Sequence, residues 1–235
     1  GNKTNPYTGT FCGNEKKIKN LIISAGAVNY IGLFGYTSGS VIKDISLIDG
    51  EVRGNAVVGG LVGYNLNGTI SGIHHSGRVS ATGSVAGGLV GENVGAIKDS
   101  NNTGAISAQS HTGGITGVTE GTIRDSYNTG GIFGIVNSNG GVVGYLSSGT
   151  VTNCYNTGQV VGSAAWNGGV AGDGLSGVAF SNCYNTGAVV GINSDAGGIL
   201  GYGGASLSDS YNTGPVQGKW SGGVIGSNTA VVGRG

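Results

Sequence analysis

One short pattern returns along this chain at an almost constant interval. The pattern is Gly-Gly, an aliphatic residue, any residue and Gly. Its second glycine lies at Gly60, Gly88, Gly114, Gly141, Gly169, Gly198 and Gly223, and Gly32 begins the series with Ile31 in place of the first glycine. The intervals are 28, 28, 26, 27, 28, 29 and 25 residues. A second marker, the glycine that closes Tyr-Asn-Thr-Gly or a degenerate form of it, lies at Gly50, Gly77, Gly104, Gly130, Gly158, Gly187 and Gly214. Two markers with one period near 27 predict a repeat protein.

Alignment on these markers gives three apolar columns that no polar residue interrupts. The first follows the double glycine and holds Leu33, Leu61, Leu89, Ile115, Val142, Val170, Ile199 and Val224. The second precedes the Tyr-Asn-Thr-Gly marker and holds Ile42, Ile70, Ile97, Ile123, Val151, Phe180 and Leu207. The third lies two residues after the marker glycine and holds Val52, Val79, Ile106, Ile132, Val160, Val189 and Val216.

These columns predict the fold class. Each lies in a short stretch with β-branched residues, bounded by Gly, Asn, Ser or Asp, and no stretch has helical periodicity. We therefore predict an all-β chain that forms a parallel β-helix of about eight coils, each of about 27 residues and three strands. Stacking at about 4.8 Å per coil gives a rod roughly 40 Å long. Right-handed coils are the default for parallel crossovers.

The composition is unusual and agrees with this prediction. Gly accounts for 53 of 235 residues and Pro for 2, while 37% of residues are hydrophobic. Collagen needs abundant proline and strict glycine triplets, and a flexible linker lacks so many apolar residues. We expect the glycines to lie at corners, where φ is positive or where a Cβ has no room.

Charge and hydropathy limit the partners. Lys plus Arg and Asp plus Glu number 11 each, so no electrostatic attraction to nucleic acid is expected. No apolar run is long enough to cross a membrane, and we expect no membrane insertion. The chain begins at Gly1 and contains no Met, which indicates a mature segment or a piece of a longer protein.

The ends differ from the middle. The first 30 residues include the charged stretch Glu15 to Lys19 ahead of Leu21, Ile22 and Ile23. We interpret residues 1–30 as an N-terminal cap with a lead-in strand. Residues 31–235 form the repeats, and the last coil is incomplete. An uncovered last coil would also allow coils of two molecules to dock end to end.

The motif Gly-Gly-Leu-Val-Gly at 59–63 and 87–91, with the later Tyr-Asn-Thr-Gly, resembles the GLUG repeats of bacterial cell-surface and secreted proteins. The stretch from Tyr7 to Asn14 looks like the segment that often precedes such repeats. The resemblance implies an extracellular or cell-surface location and an adhesin-like role. GLUG repeats also occur upstream of peptidases that cleave immunoglobulin A, but His-Glu-x-x-His is absent here, so no catalytic residue is assigned.

An aromatic column is the candidate ligand site. If the residue before each marker tyrosine points inward, the tyrosine points outward and forms a ladder with a 4.8 Å spacing. Two interpretations of this ladder are open. In one the rings bind a sugar, and in the other they only stack on one another and cover the strand backbone. Two tryptophans in corner loops are expected to add to the same patch, so the candidate site comprises Tyr127, Tyr155, Tyr184, Tyr211, Trp166 and Trp220. The neighbouring asparagines predict an amide ladder, with the following threonines on the outside.

Three further groups of residues bear on possible sites. Lys98, Asp99, Arg124 and Asp125 lie at one corner of consecutive coils. Polysaccharide lyases built on β-helices combine clustered carboxylates that hold calcium with a basic residue. Two carboxylates are few for that task, so we expect no cofactor and keep calcium as the alternative. Cys154 and Cys183 share a column and are expected to point inward, with a disulfide disfavoured because their Cβ atoms point the same way. The adjacent His74 and His75 should point to opposite faces.

The sequence therefore favours a noncatalytic extracellular β-solenoid, a stalk or adhesive module of a bacterial surface protein. One alternative is a carbohydrate-binding or polysaccharide-active β-helix. The other is a self-assembling fibre subunit. The expected partners are a host or matrix glycan or protein, or a second copy of the chain.

Overall fold

The computed structural model describes residues 1–26, 28–163 and 166–227. Parallel strands stack coil upon coil over about eight turns, and the strand pairs of the described residues are parallel. Four sheets run the length of the stack, and we name them I to IV in the order in which a coil meets them after the double glycine. The all-β, parallel β-solenoid prediction is confirmed.

Three of the sheets have eight strands each. Sheet I comprises Phe34–Ser38, Val62–Leu66, Val90–Asn93, Thr116–Thr119, Val143–Leu146, Ala171–Gly174, Leu200–Gly203 and Ile225–Ser227. Sheet III comprises Ile22–Ser24, Glu51–Gly54, Arg78–Ala81, Ile106–Ala108, Ile132–Gly134, Val160–Gly162, Val189–Gly191 and Val216–Gln217. Sheet IV comprises Tyr30–Ile31, Val57–Gly59, Val85–Gly87, His111–Gly113, Ser138–Gly140, Trp166–Gly168, Asp195–Gly197 and Ser221–Gly222.

Sheet II has 13 strands, because most coils contribute two short strands to it. It begins with the long strands Thr10–Lys19, Val41–Ile48 and Thr69–His75. Later coils contribute Ala96–Lys98, Thr122–Arg124, Thr150–Thr152, Ala179–Ser181 and Ser206–Ser208, each followed by Asn101–Asn102, Tyr127–Asn128, Tyr155–Asn156, Tyr184–Asn185 or Tyr211–Asn212. A full coil from the fourth onward thus has five short strands, and our prediction of three strands per coil is too low.

The break between the two strands of sheet II has a local cause. Asp99, Asp125, Asn153, Asn182 and Asp209 occupy it with φ between 48° and 53°. Asn and Asp tolerate this left-handed conformation better than other residues with a side chain. The apolar columns mark inward positions and not such turns, which is why they understate the number of strands.

The three apolar columns form the core. In the second column every residue from Ile42 to Phe180 has no exposed surface, and in the third every residue from Val52 to Val189 is at most 3% exposed. First-column residues lie at the bend between sheets IV and I, where Leu61 and Leu89 are completely buried. Burial falls at the last described coil, where Val224 is 42% exposed.

A ladder of buried amides runs beside this core. Asn102, Asn128, Asn156, Asn185 and Asn212 are stacked in register. Nδ2 of each of the first four donates to the Oδ1 of the next asparagine at 2.8 Å. In all five, Nδ2 also donates to the carbonyl of the marker glycine two residues on, at 2.8 or 2.9 Å. The amide N–H of that glycine donates back to Oδ1. The predicted amide ladder is confirmed, and its inner members use all of their hydrogen-bonding groups.

The double glycine packs directly against this ladder. A Cβ at Gly141 would lie 2.2 Å from the side-chain amide carbon of Asn156, and one at Gly169 would lie 2.3 Å from that of Asn185. Close approach therefore requires glycine here. Positive φ, which we also expected, occurs at five glycines of the described chain, among them Gly72 and Gly149.

The N-terminal segment continues the same sheets. Thr10–Lys19 pairs in parallel with Val41–Ile48, and Ile22–Ser24 is the first strand of sheet III. The division at residue 30 stays a prediction. The described residues contain no helix that could cross a membrane.

Candidate functional site

The marker tyrosines form the predicted ladder on the outside of sheet II. Ring centroids of Tyr127 and Tyr155, and of Tyr155 and Tyr184, are 4.7 Å apart, with interplanar angles of 3° and 5°. Tyr184 and Tyr211 follow at 5.4 Å and 8°. The alternation of a two-residue strand sends Asn inward and Tyr outward, as we predicted.

The stacking determines what this ladder offers to a ligand. Because neighbouring rings lie face to face, each ring covers the face of the next, and their edges and hydroxyl groups point away from the sheet. Tyr211 is 54% exposed and ends the stack. A sugar that stacks on a ring face therefore has Tyr211 as its partner within the tyrosine ladder. The assignment of these residues as a ligand site stays a prediction.

The two tryptophans belong to a different surface. Trp166 lies in sheet IV and stacks on Tyr202 of sheet I, with centroids 4.3 Å apart at 12°. Trp220 immediately precedes the sheet IV strand Ser221–Gly222, is 56% exposed, and has the Lys219 ammonium 4.2 Å from its ring centroid. The expectation that they extend the tyrosine patch is not met, because Trp166 lies in sheet IV and Trp220 directly before a strand of that sheet, whereas the tyrosines lie in sheet II.

We name this second surface the seam. It is formed by two columns that meet where sheet IV bends into sheet I. The sheet I column holds Tyr36, Tyr64, Glu92, Val118, Tyr145, Asp173 and Tyr202. The sheet IV column holds Tyr30, Val57, Val85, His111, Ser138, Trp166, Asp195 and Trp220.

Side chains of the two columns interlock. Tyr30 of sheet IV lies edge-on to both Tyr36 and Tyr64 of sheet I, at 5.3 Å in each case. His111 lies against Tyr145, with centroids 5.4 Å apart at 25°. His111 and Trp166 thus each contact the second sheet I strand that follows them in the chain. The same offset places the strand of Ser138 alongside that of Asp173, where a Cβ at Gly172 would lie 2.7 Å from the carbonyl carbon of Ser138.

Glycine allows the two sheets to approach this closely. A Cβ at Gly172, next to Asp173, would lie 2.4 Å from the backbone nitrogen of Asn139 and 2.7 Å from the carbonyl carbon of Ser138. Such distances are too short for any side chain. The seam therefore depends on the glycine that ends each Gly-Gly-aliphatic-x-Gly pattern.

The middle of the seam buries polar atoms that have no hydrogen-bond partner among the described residues. They are Asp173 Oδ1, Ser138 Oγ and His111 Nδ1. Asp173 is 6% exposed and Ser138 is completely buried. Unpartnered buried polar atoms are costly, and each one requires an explanation.

Burial also determines the protonation of this group of residues. Removal from water raises the pKa of Asp173 to about 6, while a hydrogen bond from the Gly174 backbone acts in the opposite direction. Burial also lowers the pKa of His111. The pKa of Tyr145 is raised by burial and then by the nearby charge of Asp173. Near neutral pH the site thus holds a carboxylate and a neutral imidazole.

The seam is acidic along much of its length. Glu92 and Asp195 share it with Asp173, and Glu120 is close enough to raise the pKa of Glu92, although burial is the larger cause. The three ion pairs of the described chain, Lys43–Asp44, Arg53–Glu51 and Arg124–Asp125, all lie on sheets II and III. Positive charges lie at the two ends of the seam, where Lys219 is beside Trp220 and Lys3 lines a hollow with Tyr30.

The Lys/Asp corner has a structural explanation. Asp99 and Asp125 occupy the left-handed turn of sheet II described above. The Asp125 carboxylate accepts a hydrogen bond from Asn153 Nδ2 at 3.0 Å and another from Arg124. These two bonds, that from Asn153 first, lower the pKa of Asp125. A calcium role here stays untested.

The cysteines and histidines take the predicted orientations. Cys154 and Cys183 are completely buried free thiols. Burial raises the pKa of both, that of Cys183 to about 11. His75 points inward and is 2% exposed, whereas His74 lies on the other face with its Nδ1 2.6 Å from Asn101 Oδ1.

His75 begins the amide ladder. Its Nδ1 lies 2.8 Å from Asn102 Oδ1. The protons of Asn102 Nδ2 are already donated to Gly104 and Asn128, so His75 must carry its proton on Nδ1 and donate it. Burial lowers the pKa of His75 to about 4.

An apolar hollow on sheet III was not predicted. It has a volume of about 460 Å³ and is lined by Phe133 and Ile135, which are 46% and 54% exposed. The outward position of each sheet III strand varies between coils, from Arg53 and Ser80 to Phe133 and Val161. The repeat pattern therefore gives no sign of it.

The seam was not predicted either, although the repeat contains a signal for it. The sheet I column is the residue after the closing glycine of each pattern, as in Gly144-Tyr145 and Gly172-Asp173. The sheet IV column lies two residues before the double glycine, as at Trp166. These positions are regular in place and variable in type, so a search for uniform columns passes over them.

Comparison with known proteins supports the fold. No protein-family model matches the chain. No curated protein sequence matches it at a significant level. A crystal structure from Bacteroides ovatus, of a protein provisionally described as an immunoglobulin A1 protease, matches 94% of this chain and 68% of its own with a TM-score of 0.57 and 17% identity. The chain is thus similar in fold to that protein, and the GLUG resemblance stays a prediction.

Proposed function

We propose that the chain is a noncatalytic, extracellular β-solenoid that acts as a rigid stalk or adhesive module of a bacterial surface protein. The observation that carries this proposal is continuity. The same core columns and the same amide ladder pass through coil after coil, and each coil hydrogen-bonds to the next along its length. A solenoid of this kind is a rod, and it can hold the parts at its two ends a fixed distance apart.

Two likenesses support the proposed setting. The sequence resembles GLUG repeats of bacterial surface proteins, and the Bacteroides ovatus protein has a similar fold. Because the sequence lacks His-Glu-x-x-His, we transfer no peptidase activity to this chain. Antibody labelling of intact cells tests the location, and labelling only after cell lysis would contradict it.

An in-register deletion tests the stalk. Removal of residues 129–185 joins Asn128 to Thr186, which occupy successive positions of the ladder marker, and it deletes two coils. We expect a folded rod that is shorter by about 10 Å in small-angle scattering. Removal of residues 129–172 joins unlike positions and should not fold. A shortened in-register variant that also fails to fold would contradict independent stacking of the coils.

Binding and cleavage assays separate the alternatives. The stalk proposal predicts no polysaccharide cleavage by the purified chain with added calcium. Glycan-array binding that is lost in Tyr211→Ala and retained in Tyr155→Ala would instead support a carbohydrate-binding module that uses the open end of the tyrosine ladder. Concentration-dependent filaments in electron microscopy would support the fibre subunit.

A further inference from the structure

We propose that the middle of the seam is a binding site for a primary ammonium group, held by Asp173 and Ser138 between aromatic rings, with His111 next to them. This site goes beyond the stalk role and does not depend on it. The argument begins with three buried polar atoms that have no hydrogen-bond partner among the described residues, namely Asp173 Oδ1, Ser138 Oγ and His111 Nδ1.

The number and type of these atoms match an ammonium group. A primary ammonium has three N–H donors and no acceptor. A carboxylate oxygen and a hydroxyl oxygen both accept hydrogen bonds, and His111 Nδ1 accepts one in the tautomer that carries its proton on Nε2. Calcium would need six to eight oxygen ligands, which this site does not offer. An acceptor-rich site with few oxygens thus favours an organic cation over a metal ion.

The walls of the site favour a cation as well. Tyr145 and Tyr202 are the in-register neighbours of Asp173 on sheet I. Trp166 is stacked on Tyr202 and is the in-register neighbour of Ser138 on sheet IV. Aromatic rings attract cations, and the attraction grows as water is excluded. Three rings around one carboxylate give the ammonium both a counter-ion and an electron-rich wall.

The charge of the seam would also draw a cation toward the site. Glu92, Glu120 and Asp195 lie along the same surface, while the described ion pairs lie on sheets II and III. An ammonium would enter between the half-buried rings of Tyr145 and Tyr202, with its alkyl chain toward solvent. The source could be a lysine side chain of a polypeptide or an amino sugar, which share this chemistry.

The test measures amine binding by the full chain. Methylammonium is titrated at pH 7.5 while Trp fluorescence and heat are recorded, with acetamide and potassium as matched neutral and metal-cation probes. We expect saturable binding of methylammonium alone. Asp173→Asn should weaken it at least tenfold, and Ser138→Ala should weaken it several-fold. Asp195→Asn, in the same seam, should change it less than twofold.

The pH dependence gives a second readout. Below about pH 6 affinity should fall about tenfold per pH unit, as Asp173 takes up a proton. Tyr145 and Tyr202 lie on the two strands paired with that of Asp173, and burial raises the pKa of Tyr145, so this phenol stays neutral in this range. His111 lies on the sheet IV strand that pairs with the strand of Ser138, and burial lowers its pKa.

The outcomes decide the proposal. No saturable binding by wild-type protein, or equal binding by wild-type protein and Asp173→Asn, would overturn it. Equal binding of potassium and methylammonium would also overturn the ammonium assignment. Titration with Nα-acetyl-lysine methylamide and with glucosamine then identifies the source. If Asp173→Asn is misfolded in circular dichroism, Ser138→Ala serves as the deciding variant.

Discussion

The tyrosine ladder of sheet II and the seam between sheets I and IV are both rows of aromatic rings, yet they differ in every other respect. The ladder repeats one residue, its rings lie face to face, and a complete amide ladder lies behind it. The seam mixes rings with carboxylates and leaves buried polar atoms without partners. Uniform repetition thus builds the scaffold, and departure from it marks the site that we propose for an ammonium group.

The largest effect should follow from removal of an amide behind the tyrosine ladder. Asn156→Ala deletes four hydrogen bonds and leaves groups of Asn128, Asn185 and Gly158 buried without partners. We expect the free energy of unfolding to fall by roughly 3–5 kcal/mol. Thr157→Ala, at the exposed neighbouring position, should cost less than about 0.5 kcal/mol. Chemical denaturation measures both, and equal losses would show that the ladder is not the main support.

A smaller effect of opposite sign is expected in the seam. The pKa of Asp173 is raised to about 6, so its contribution to stability is complete below pH 4 and is lost as pH rises through 6. At pH 7.5 Asp173→Asn should therefore be more stable than the wild type by about 2–3 kcal/mol. At pH 4 the two should be equal. Denaturation at both pH values tests this, and a variant that is less stable at pH 7.5 would contradict it.

A third prediction concerns the one position where the amide ladder itself departs from uniformity. The pKa of His75 is lowered to about 4, so the stability that it contributes as a neutral group is lost as pH falls from about 6.5 to 4. His75→Asn should restore the repeat, because Gly77 stands where the other ladder asparagines have their glycine.

We expect His75→Asn to gain about 2 kcal/mol over the wild type at pH 4.5 and little at pH 7.5. His74→Asn on the outer face is the matched control. In the wild type the Asp173 and His75 effects oppose each other between pH 4 and 6.5, so the single variants are needed to reveal either one.

The smallest effect should come from the rings of the tyrosine ladder. Tyr155→Leu removes two stacking contacts, whereas Tyr211→Leu removes one and lies at the exposed end. We expect losses of about 1 kcal/mol and about 0.5 kcal/mol. Thermal unfolding measures the difference. A larger loss for Tyr211→Leu would show that the end of the stack has a role beyond stacking.

The parts of the fold that could be predicted are those that use one residue type per column. Asn128, Asn156 and Asn185 occupy the same position of successive repeats, so their burial and hydrogen bonds follow from the repeat period. The pair of strands in sheet II could not be predicted, because a turn made by one left-handed Asp or Asn leaves the apolar spacing unchanged.

The candidate site was harder to predict for a different reason. Tyr202 lies on the second sheet I strand that follows Trp166 in the chain. Their contact depends on how sharply the chain bends after Gly168. A repeat pattern fixes which positions stack along the rod. It does not show which columns meet across a bend. For this reason the sequence placed Trp166 in one patch with Tyr155, although the two lie on different sheets.

The amide ladder also gives the molecule a direction. The four asparagines from Asn102 to Asn185 each donate from Nδ2 to the asparagine of the following coil, and none of these bonds runs in reverse. Dipoles aligned head to tail reinforce one another. The row is therefore a line of aligned dipoles, whose oxygen end accepts the His75 proton and whose nitrogen end is at Asn212. The two ends of the ladder therefore differ electrically, with amide oxygens facing the N-terminal coils and amide nitrogens facing the C-terminal coils.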